Sequence, residues 1–111
     1  MYIGFENLED VLIVSFMGEL DHHSAEEVRV KVDDRIDRDN IKKLVIDFSG
    51  VTFMDSSGIG VIIGRYKKMA LRKGNISIAA INKNIKRVFE LSGIFKIIKV
   101  YENIKEAVQF S

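Results

Sequence analysis

The fold is decided by residues 44–63, which read LVIDFSGVTFMDSSGIGVII. Residues 44–48 form a short apolar run with β-branched side chains, which is typical of a buried strand. Beyond Ser57, apolar residues recur at three- and four-residue steps, as on one face of an amphipathic helix. These residues are Ile59, Ile62, Ile63, Tyr66, Met69 and Ala70. Ser56 and Ser57 therefore lie where a strand ends and a helix begins, a position at which open α/β sheets place ligand and partner sites.

The rest of the chain continues this alternation of strands and helices. Further strands are expected at residues 2–5, 11–17, 76–81 and 97–100. Ser24 followed by Glu27 has the pattern of a capping box, which predicts the start of a first helix. Gly74 and Gly93 are expected to end the second and third helices, and a last helix begins near Asn103. This order predicts an α/β fold with a mostly parallel sheet of four to five strands, packed with about four helices.

Length and composition exclude several classes of protein. The chain has 111 residues, which suggests one domain over residues 1–111, and it has no cysteine for disulfides or thiolate catalysis. A formal net charge of +1 gives no overall attraction to nucleic acid or to an anionic membrane. Residues 1–6 lack the order of a signal peptide, and no apolar run approaches the ~18 residues of a membrane helix. We therefore expect a cytoplasmic protein that binds neither nucleic acid nor membrane.

The loop around Asp21 is expected to lie beside Ser56, because right-handed crossovers bring the two loops to the same edge of the sheet. On local grounds each residue has a plain structural interpretation. A serine at a helix start is more often an N-cap, which contributes about 1 kcal/mol, and Asp21 is more often a turn aspartate. A helix start also offers free N–H groups that favour an anion. Position alone therefore leaves capping, nucleophilic attack and phosphorylation open for Ser56.

A small hydrolase is one alternative, because Ser56, His22, His23 and two aspartates include all members of a catalytic triad. The nucleophile elbow of such enzymes is G-x-S-x-G, and here Met54 occupies the position of the first glycine. Both histidines also precede the serine, which is the wrong order for an α/β-hydrolase. Adjacent histidines in a loop are expected to point apart, and no third ligand is spaced for zinc, so no metal site is predicted.

Gly58, Gly60 and Gly64 lie in the predicted second helix, and Gly58 and Gly60 would each weaken its start by about 1 kcal/mol. That cost indicates either close packing of the helix on the sheet or close approach of a partner. A nucleotide-binding role for this loop is a further alternative, but no Walker sequence follows. The same helix carries a basic cluster that is typical of a solvated face. It consists of Arg65, Lys68, Arg72 and Lys73. Arg65 lies close enough to the helix start to touch a partner.

Three segments carry a family resemblance. They are GELDHHS at residues 18–24, FMDSSGIGVIIGRYK at 53–67 and LSGIFKII at 91–98. On these segments the chain resembles the STAS family and, within it, the bacterial anti-sigma factor antagonists. The middle segment is highly specific, because a generic turn from strand to helix does not need that run. The similarity extends over nearly the whole chain.

The resemblance implies a partner-switching protein with no enzyme activity and no cofactor of its own. In the family, the unphosphorylated protein binds a nucleotide-bound anti-sigma factor that is also a serine kinase, and a sporulation sigma factor is freed. The kinase phosphorylates the first serine after the aspartate, here Ser56, and a serine phosphatase restores the active form. The implied contact residues are Asp21, His22, Asp55, Ser56, Ser57, Gly58, Gly60 and Arg65. A monomer is expected, because no heptad or large uncommitted apolar stripe demands a dimer.

Overall fold

A computed structural model describes residues 1–110 of the chain. The strands are β1 (Tyr2–Leu8), β2 (Val11–Leu20), β3 (Lys43–Met54), β4 (Asn75–Ala79) and β5 (Lys99–Tyr101). The α-helices are α1 (Ala25–Asp39), α2 (Ser56–Leu71), α3 (Lys83–Ser92) and α4 (Ile104–Phe110), and a short 3-10 helix spans Ile94–Lys96. The predicted α/β class is confirmed, with five strands and four α-helices over residues 1–110. The prediction of one domain included Ser111, which lies outside the described residues.

The strand order in the sheet is β1-β2-β3-β4-β5. β1 pairs antiparallel with β2, because a two-residue turn at Glu9 and Asp10 joins them and Glu9 takes a left-handed conformation with φ of 56°. The other neighbouring strands are parallel, since each is reached through a helix that crosses a face of the sheet. The prediction of a mostly parallel sheet is therefore confirmed.

Helices cover both faces of the sheet, but unequally. On β2, Leu12, Val14 and Phe16 point to the main core, which also contains the buried faces of α1, α2 and α3. Ile13 points to the opposite face, where it packs with Ala107 of α4 in a smaller cluster. This alternation is the period-two pattern of a strand buried on both faces. Over residues 1–110, no helix combines the length and the apolar character that crossing a membrane requires.

β2 and β3 extend further than the predicted strands at residues 11–17 and 44–48. Their parallel ladder continues, with two irregularities, to the pair formed by Leu20 and Met54. Gly50 lies inside this extension, where an added Cβ would stand 2.8 Å from a backbone carbonyl oxygen of β2. Glycine therefore lets the two backbones approach closely. The extension carries the loops that follow β2 and β3 to the same edge of the molecule.

The helix ends agree with the predicted stops, except at one residue. α3 ends at Gly93, which takes a left-handed conformation with φ of 77°. At the end of α2 the left-handed residue is Lys73, with φ of 58°, and not Gly74. Gly74 is pressed against the carbonyl oxygen of Lys42, which would lie 2.5 Å from an added Cβ. The last strand begins at Lys99, later than predicted, because the 3-10 helix takes up the segment after Gly93.

Candidate functional site

Two loops meet at one edge of the sheet. The loop at residues 21–24 follows β2, and Asp55 follows β3, which is the parallel neighbour of β2. The strand ends are paired, Leu20 with Met54. The N–H of Asp55 donates to the carbonyl oxygen of Leu20 over 3.4 Å. The prediction that the Asp21 loop lies beside Ser56 is therefore confirmed.

Ser56 is the first residue of α2, and its side chain is exposed. The N-cap of the helix is Asp55, whose Oδ1 accepts hydrogen bonds from the N–H groups of Ser57 and Gly58 at 2.8 and 3.4 Å. The interpretation of Ser56 as the N-cap is therefore wrong. Within residues 1–110 the Ser56 hydroxyl takes part in no hydrogen bond. Modification of this hydroxyl would not remove a structural bond.

The second carboxylate oxygen of Asp55 reaches the neighbouring loop. Oδ2 accepts a hydrogen bond from the N–H of His22 at 3.2 Å. Asp55 is thus bonded to the region of β2 and its loop through both its backbone and its side chain. Of the residues predicted as partner contacts, all but one lie on these two loops or on the first turns of α2. They are Asp21, His22, Asp55, Ser56, Ser57, Gly58 and Gly60.

Asp21 forms the turn that leads into α1. Its Oδ1 accepts hydrogen bonds from the N–H groups of His23 and Ser24 at 2.9 and 3.1 Å. Partial desolvation raises the pKa of Asp21, but the backbone bonds from Ser24 and His23 outweigh it and bring the pKa below its ordinary value. A charged carboxylate therefore stands beside the Ser56 loop at neutral pH.

The predicted capping box at the start of α1 is wrong, because the Ser24 hydroxyl donates to the carbonyl oxygen of Glu19 at 2.8 Å and does not cap α1.

His22 and His23 are both exposed. Their rings touch edge to face, with 5.6 Å between centroids and 64° between planes. The expectation that they point apart is wrong, because the tight turn at Asp21 brings consecutive side chains together. Within the described residues neither ring bonds to the Ser56 hydroxyl, so the triad of the hydrolase alternative is not formed. Residues 1–110 contain no group of three or more histidine and acidic side chains placed to hold a metal ion.

Gly58 and Gly60 have different surroundings. An added Cβ on Gly58 would lie 2.5 Å from Cγ of Met54 and 2.7 Å from the carbonyl oxygen of Leu20. Close packing of helix on sheet therefore accounts for Gly58. A Cβ on Gly60 or on Gly64 would meet nothing within 4 Å. Gly60 is exposed on the first turns of α2, so packing within the described chain does not require a glycine there.

Arg65 does not face the site. Its side chain is 7% exposed and lies against α1, with Nε 2.8 Å from Oδ1 of Asp33. Burial lowers the pKa of Arg65, and the Asp33 carboxylate partly offsets this. Lys68 and Arg72 pair with Asp37 in the same interface, at 2.9 and 3.4 Å. The interpretation of a solvated basic face is wrong for Arg65, because its guanidinium is buried between helices, and the predicted partner contact through Arg65 loses its basis. Lys68 and Arg72 remain partly exposed.

Sequence reasoning misses Phe53 and Glu19, which lie at the same edge. They pair with each other across β3 and β2, and the Phe53 side chain is 49% exposed. Both belong to the segments that carry the family resemblance, but the predicted strands end before them. A prediction that continued β3 to Met54 would have placed Phe53 on the strand that leads to Ser56. Phe53 adds an apolar side chain to the exposed surface next to the two loops.

Residues 2–107 match the STAS domain family. The chain is 40% identical over 103 residues to the anti-sigma F factor antagonist of Paenibacillus polymyxa, a match that covers 93% of this chain and 88% of the relative. Unphosphorylated SpoIIAA superposes with a TM-score of 0.75 at 25% identity, covering 97% of this chain and 96% of that chain. The phosphorylated form of the Bacillus SpoIIAA superposes with a TM-score of 0.76 at 26% identity, covering 97% of each chain. An anti-sigma factor antagonist from Mycobacterium paratuberculosis superposes with a TM-score of 0.89 at 25% identity, covering 97% of this chain and 91% of that chain.

These similarities run the length of the chain and include both loops of the site. The family match leaves out only the first residue and the last four of the chain. The sequence identity and the superposed structures point to the same group of regulators. The chain therefore belongs to the STAS-domain family of anti-sigma factor antagonists.

Proposed function

We propose that the chain acts as a phosphorylation-controlled switch on a sporulation sigma factor. In its unphosphorylated form it binds a SpoIIAB-like anti-sigma factor, which is also a serine kinase and carries ATP or ADP, and the sigma factor is released. Phosphorylation of Ser56 ends this binding, and a SpoIIE-like serine phosphatase restores it. The proposal is supported by the 40% identity to an anti-sigma F factor antagonist and by the likeness to SpoIIAA, a protein solved in both phosphorylation states.

The observation that carries the proposal is the free hydroxyl of Ser56 at the start of α2. The hydroxyl is exposed, and the capping role at this position belongs to Asp55. A kinase can therefore reach the Ser56 oxygen without unfolding the helix start. Ser57 is less suited as the acceptor, because its side chain is only partly exposed.

A phosphate on Ser56 would act mainly on the partner. It adds about −1.5 to −2 charges next to Asp55. The N–H groups of Ser57 and Gly58 already bond to the Asp55 carboxylate, so they are not free to hold the phosphate inside the molecule. The new charge faces solvent in the free protein, where the fold tolerates it. In a complex it lies in the contact surface, where misplaced like charge costs several kcal/mol.

In this proposal the kinase and the phosphatase perform the chemistry, and the chain itself is neither an enzyme nor a cofactor protein. It works as a monomer in the cytoplasm, where its sigma factor acts. It contacts neither nucleic acid nor membrane. The formal net charge of +1 agrees with a protein that recognises a protein surface and not a polyanion.

Incubation with an anti-sigma factor kinase and ATP tests the proposal, with intact mass as the readout. We expect one phosphate on the wild-type chain and on Ser57→Ala, and none on Ser56→Ala. Peptide mapping should place the phosphate on Ser56. Phosphate on Ser56→Ala, or none on wild type with any kinase that binds it, would contradict the proposal. The hydrolase alternative predicts no phosphate and hydrolysis of an ester substrate that is lost in Ser56→Ala.

A further inference from the structure

One carboxylate serves both loops of the site. Oδ1 of Asp55 accepts the N–H groups of Ser57 and Gly58 at 2.8 and 3.4 Å, and Oδ2 accepts the N–H of His22 at 3.2 Å. The bonds to Oδ1 cap α2, and the bond to Oδ2 crosses to the loop at residues 21–24. The two roles use different oxygens, so one substitution can separate them.

The loop at residues 21–24 takes its shape from local bonds. Its other side-chain hydrogen bonds all lie within residues 19–24. They set the form of the turn, and the bond from Ser24 ties it to the end of β2, but none of them reaches the Ser56 loop itself. In the described part of the chain, the bond from His22 to Asp55 is the one hydrogen bond that joins this loop to residues 55–58.

We infer that Asp55 is a positioning residue that holds the Asp21 loop at a fixed place beside Ser56. The inference rests on the proposed function, because a kinase that contacts both loops would meet them as one preformed surface. Without the bond to His22, the loop keeps its turn and its attachment to β2 but loses its direct tie to residue 55. The freedom it gains has to be removed again on binding, and that entropy cost weakens the complex. Asp55 acts through the loop and needs no contact of its own with the kinase.

Asp55→Asn separates the cap from the bridge. Asparagine keeps one side-chain oxygen and caps helices as well as aspartate does. Its other group is an amide NH2, which donates and cannot accept the N–H of His22. The variant therefore retains the cap on α2 and loses the bond to the loop. Asp47→Asn is the matched control, because Asp47 on β3 also accepts a backbone N–H, that of Ser49 at 2.9 Å, and loses the same charge.

The first measurement is hydrogen exchange at the His22 amide in the free, full-length protein. In Asp55→Asn we expect exchange about tenfold faster at His22, which corresponds to the loss of one hydrogen bond to a charged group. The amides of Ser57 and Gly58 should stay protected, which shows that the helix start still folds. Asp47→Asn should leave all three amides unchanged. Unaltered protection at His22 in Asp55→Asn would overturn the inference.

The second measurement uses a purified anti-sigma factor kinase that phosphorylates the wild-type chain. We expect Asp55→Asn to raise KM about tenfold and to leave kcat unchanged, because the loop is displaced while Ser56 is not. Asp21→Asn should add little in the Asp55→Asn background, since the two residues act through one loop. A wild-type KM, or fully additive effects of the two substitutions, would overturn the inference. If no kinase phosphorylates the wild type, the proposed function fails, and the exchange experiment still decides the role of Asp55.

Discussion

Arg65 of α2 and Asp33 of α1 form an ion pair between the two helices on one face of the sheet. Nε of Arg65 is 2.8 Å from Oδ1 of Asp33, and the exposed fractions of the two side chains are 7% and 21%. The arginine is the more deeply buried partner, and its Nε and Nη1, like Oδ1 of Asp33, take part in no hydrogen bond within the described residues. The pair is therefore a close contact of opposite charges without hydrogen-bond geometry. The carboxylate is partly solvated and has a second cation, Arg29, at 3.8 Å. Loss of Asp33 would therefore leave a buried arginine without its counter-charge, whereas loss of Arg65 would leave a carboxylate that still has solvent and Arg29.

Removing the carboxylate should cost more stability than removing the arginine. Asp33→Ala leaves a buried guanidinium unpaired, and we expect a loss of about 2 kcal/mol, less than the full penalty for a completely buried pair. Arg65→Met removes the buried charge and keeps an apolar stem of similar length, so we expect a loss below about 1 kcal/mol. Urea unfolding of both variants measures the difference.

Asp34→Ala is the control for that comparison. Asp34 lies on the same helix, but its side chain is 66% exposed and its partner Arg38 is also in solvent. We expect a change within about 0.5 kcal/mol, as for most exposed ion pairs. If Arg65→Met proved as destabilising as Asp33→Ala, the pair would contribute net stability to the fold, contrary to this argument.

Gly58 and Gly60 offer a second matched pair of substitutions. Gly58→Ala should destabilise the fold by about 1–3 kcal/mol, because the new methyl group collides with the Leu20 carbonyl oxygen and with Met54. Gly60→Ala should stabilise the fold by about 0.5–1 kcal/mol, because the methyl group meets nothing and alanine favours helix. Thermal unfolding tests both.

The affinity of Gly60→Ala for the kinase then tests why residue 60 is a glycine, although a Cβ there would meet no other atom within 4 Å. A more stable variant with weaker binding would support close approach of the partner to α2. A more stable variant with unchanged binding would remove Gly60 from the predicted contacts. The stability effect and the binding effect are expected to have opposite signs, so a fold defect cannot account for the result.

The main elements were predictable from sequence because their apolar periods are strong. The buried run at residues 44–48 and the helical stripe after Ser57 were both sufficient to locate a strand and a helix. The extension of β2 and β3 was not predictable, since it depends on Gly50 fitting against the neighbouring strand. That contact involves residues far apart in the chain, so no local sequence pattern predicts it.

Prediction of the site from sequence has the same limit, because local patterns do not reveal contacts between distant residues. The neighbourhood of Asp21 and Ser56 followed from topology alone, because two parallel strands end side by side. The choice of cap did not, since Asp55 and Ser56 are both good capping residues and adjacent in sequence. The burial of Arg65 also escaped prediction, because its partner Asp33 lies on another helix. Local propensity identified the elements, and tertiary contacts assigned the roles of individual polar residues.

Acid should weaken the fold partly through Asp39. Arg35 donates to the Asp39 carboxylate at 2.9 Å, and Asn7 at 3.1 Å, and these bonds lower its pKa below the ordinary 3.8. A carboxyl whose pKa is lower in the folded state stabilises the fold above its unfolded pKa, and this contribution is lost as pH falls through the folded value. We expect the melting temperature of the wild type to fall as the pH drops below about 4.

Asp39→Asn should lower the melting temperature at pH 7 and flatten its decline in acid, because the titrating group is gone. Asp34→Asn, on an exposed side chain of the same helix, removes the same charge and serves as the control. The two variants should differ at pH 7 and converge in acid, once Asp39 is protonated in the folded state. Curves for wild type and Asp39→Asn that stay parallel throughout the acid range would contradict the assignment.

Asp21→Asn should weaken kinase binding and leave the melting temperature nearly unchanged. Asparagine keeps an oxygen that accepts the N–H groups of His23 and Ser24, and it is well suited to such a turn. The change in stability should stay within about 0.5 kcal/mol. In the proposed complex the lost charge faces the partner, so we expect a higher Kd in a titration. An unchanged Kd would return Asp21 to the role of a turn residue.

Ser56→Ala and Ser56→Asp should separate partner switching from helix capping. Because Asp55 is the cap, Ser56→Ala should keep its stability within about 0.5 kcal/mol, bind the kinase and resist phosphorylation, so that it acts as a permanently active antagonist. Ser56→Asp should bind about tenfold more weakly, a partial effect because it carries one charge where phosphate carries about two. Ser49→Asp adds the same charge at an exposed position on β3 and should bind normally. The melting temperatures and kinase affinities of Ser56→Ala, Ser56→Asp and Ser49→Asp distinguish the two roles of Ser56. Normal affinity for Ser56→Asp, with a stability loss in Ser56→Ala as the sole effect, would contradict the switch.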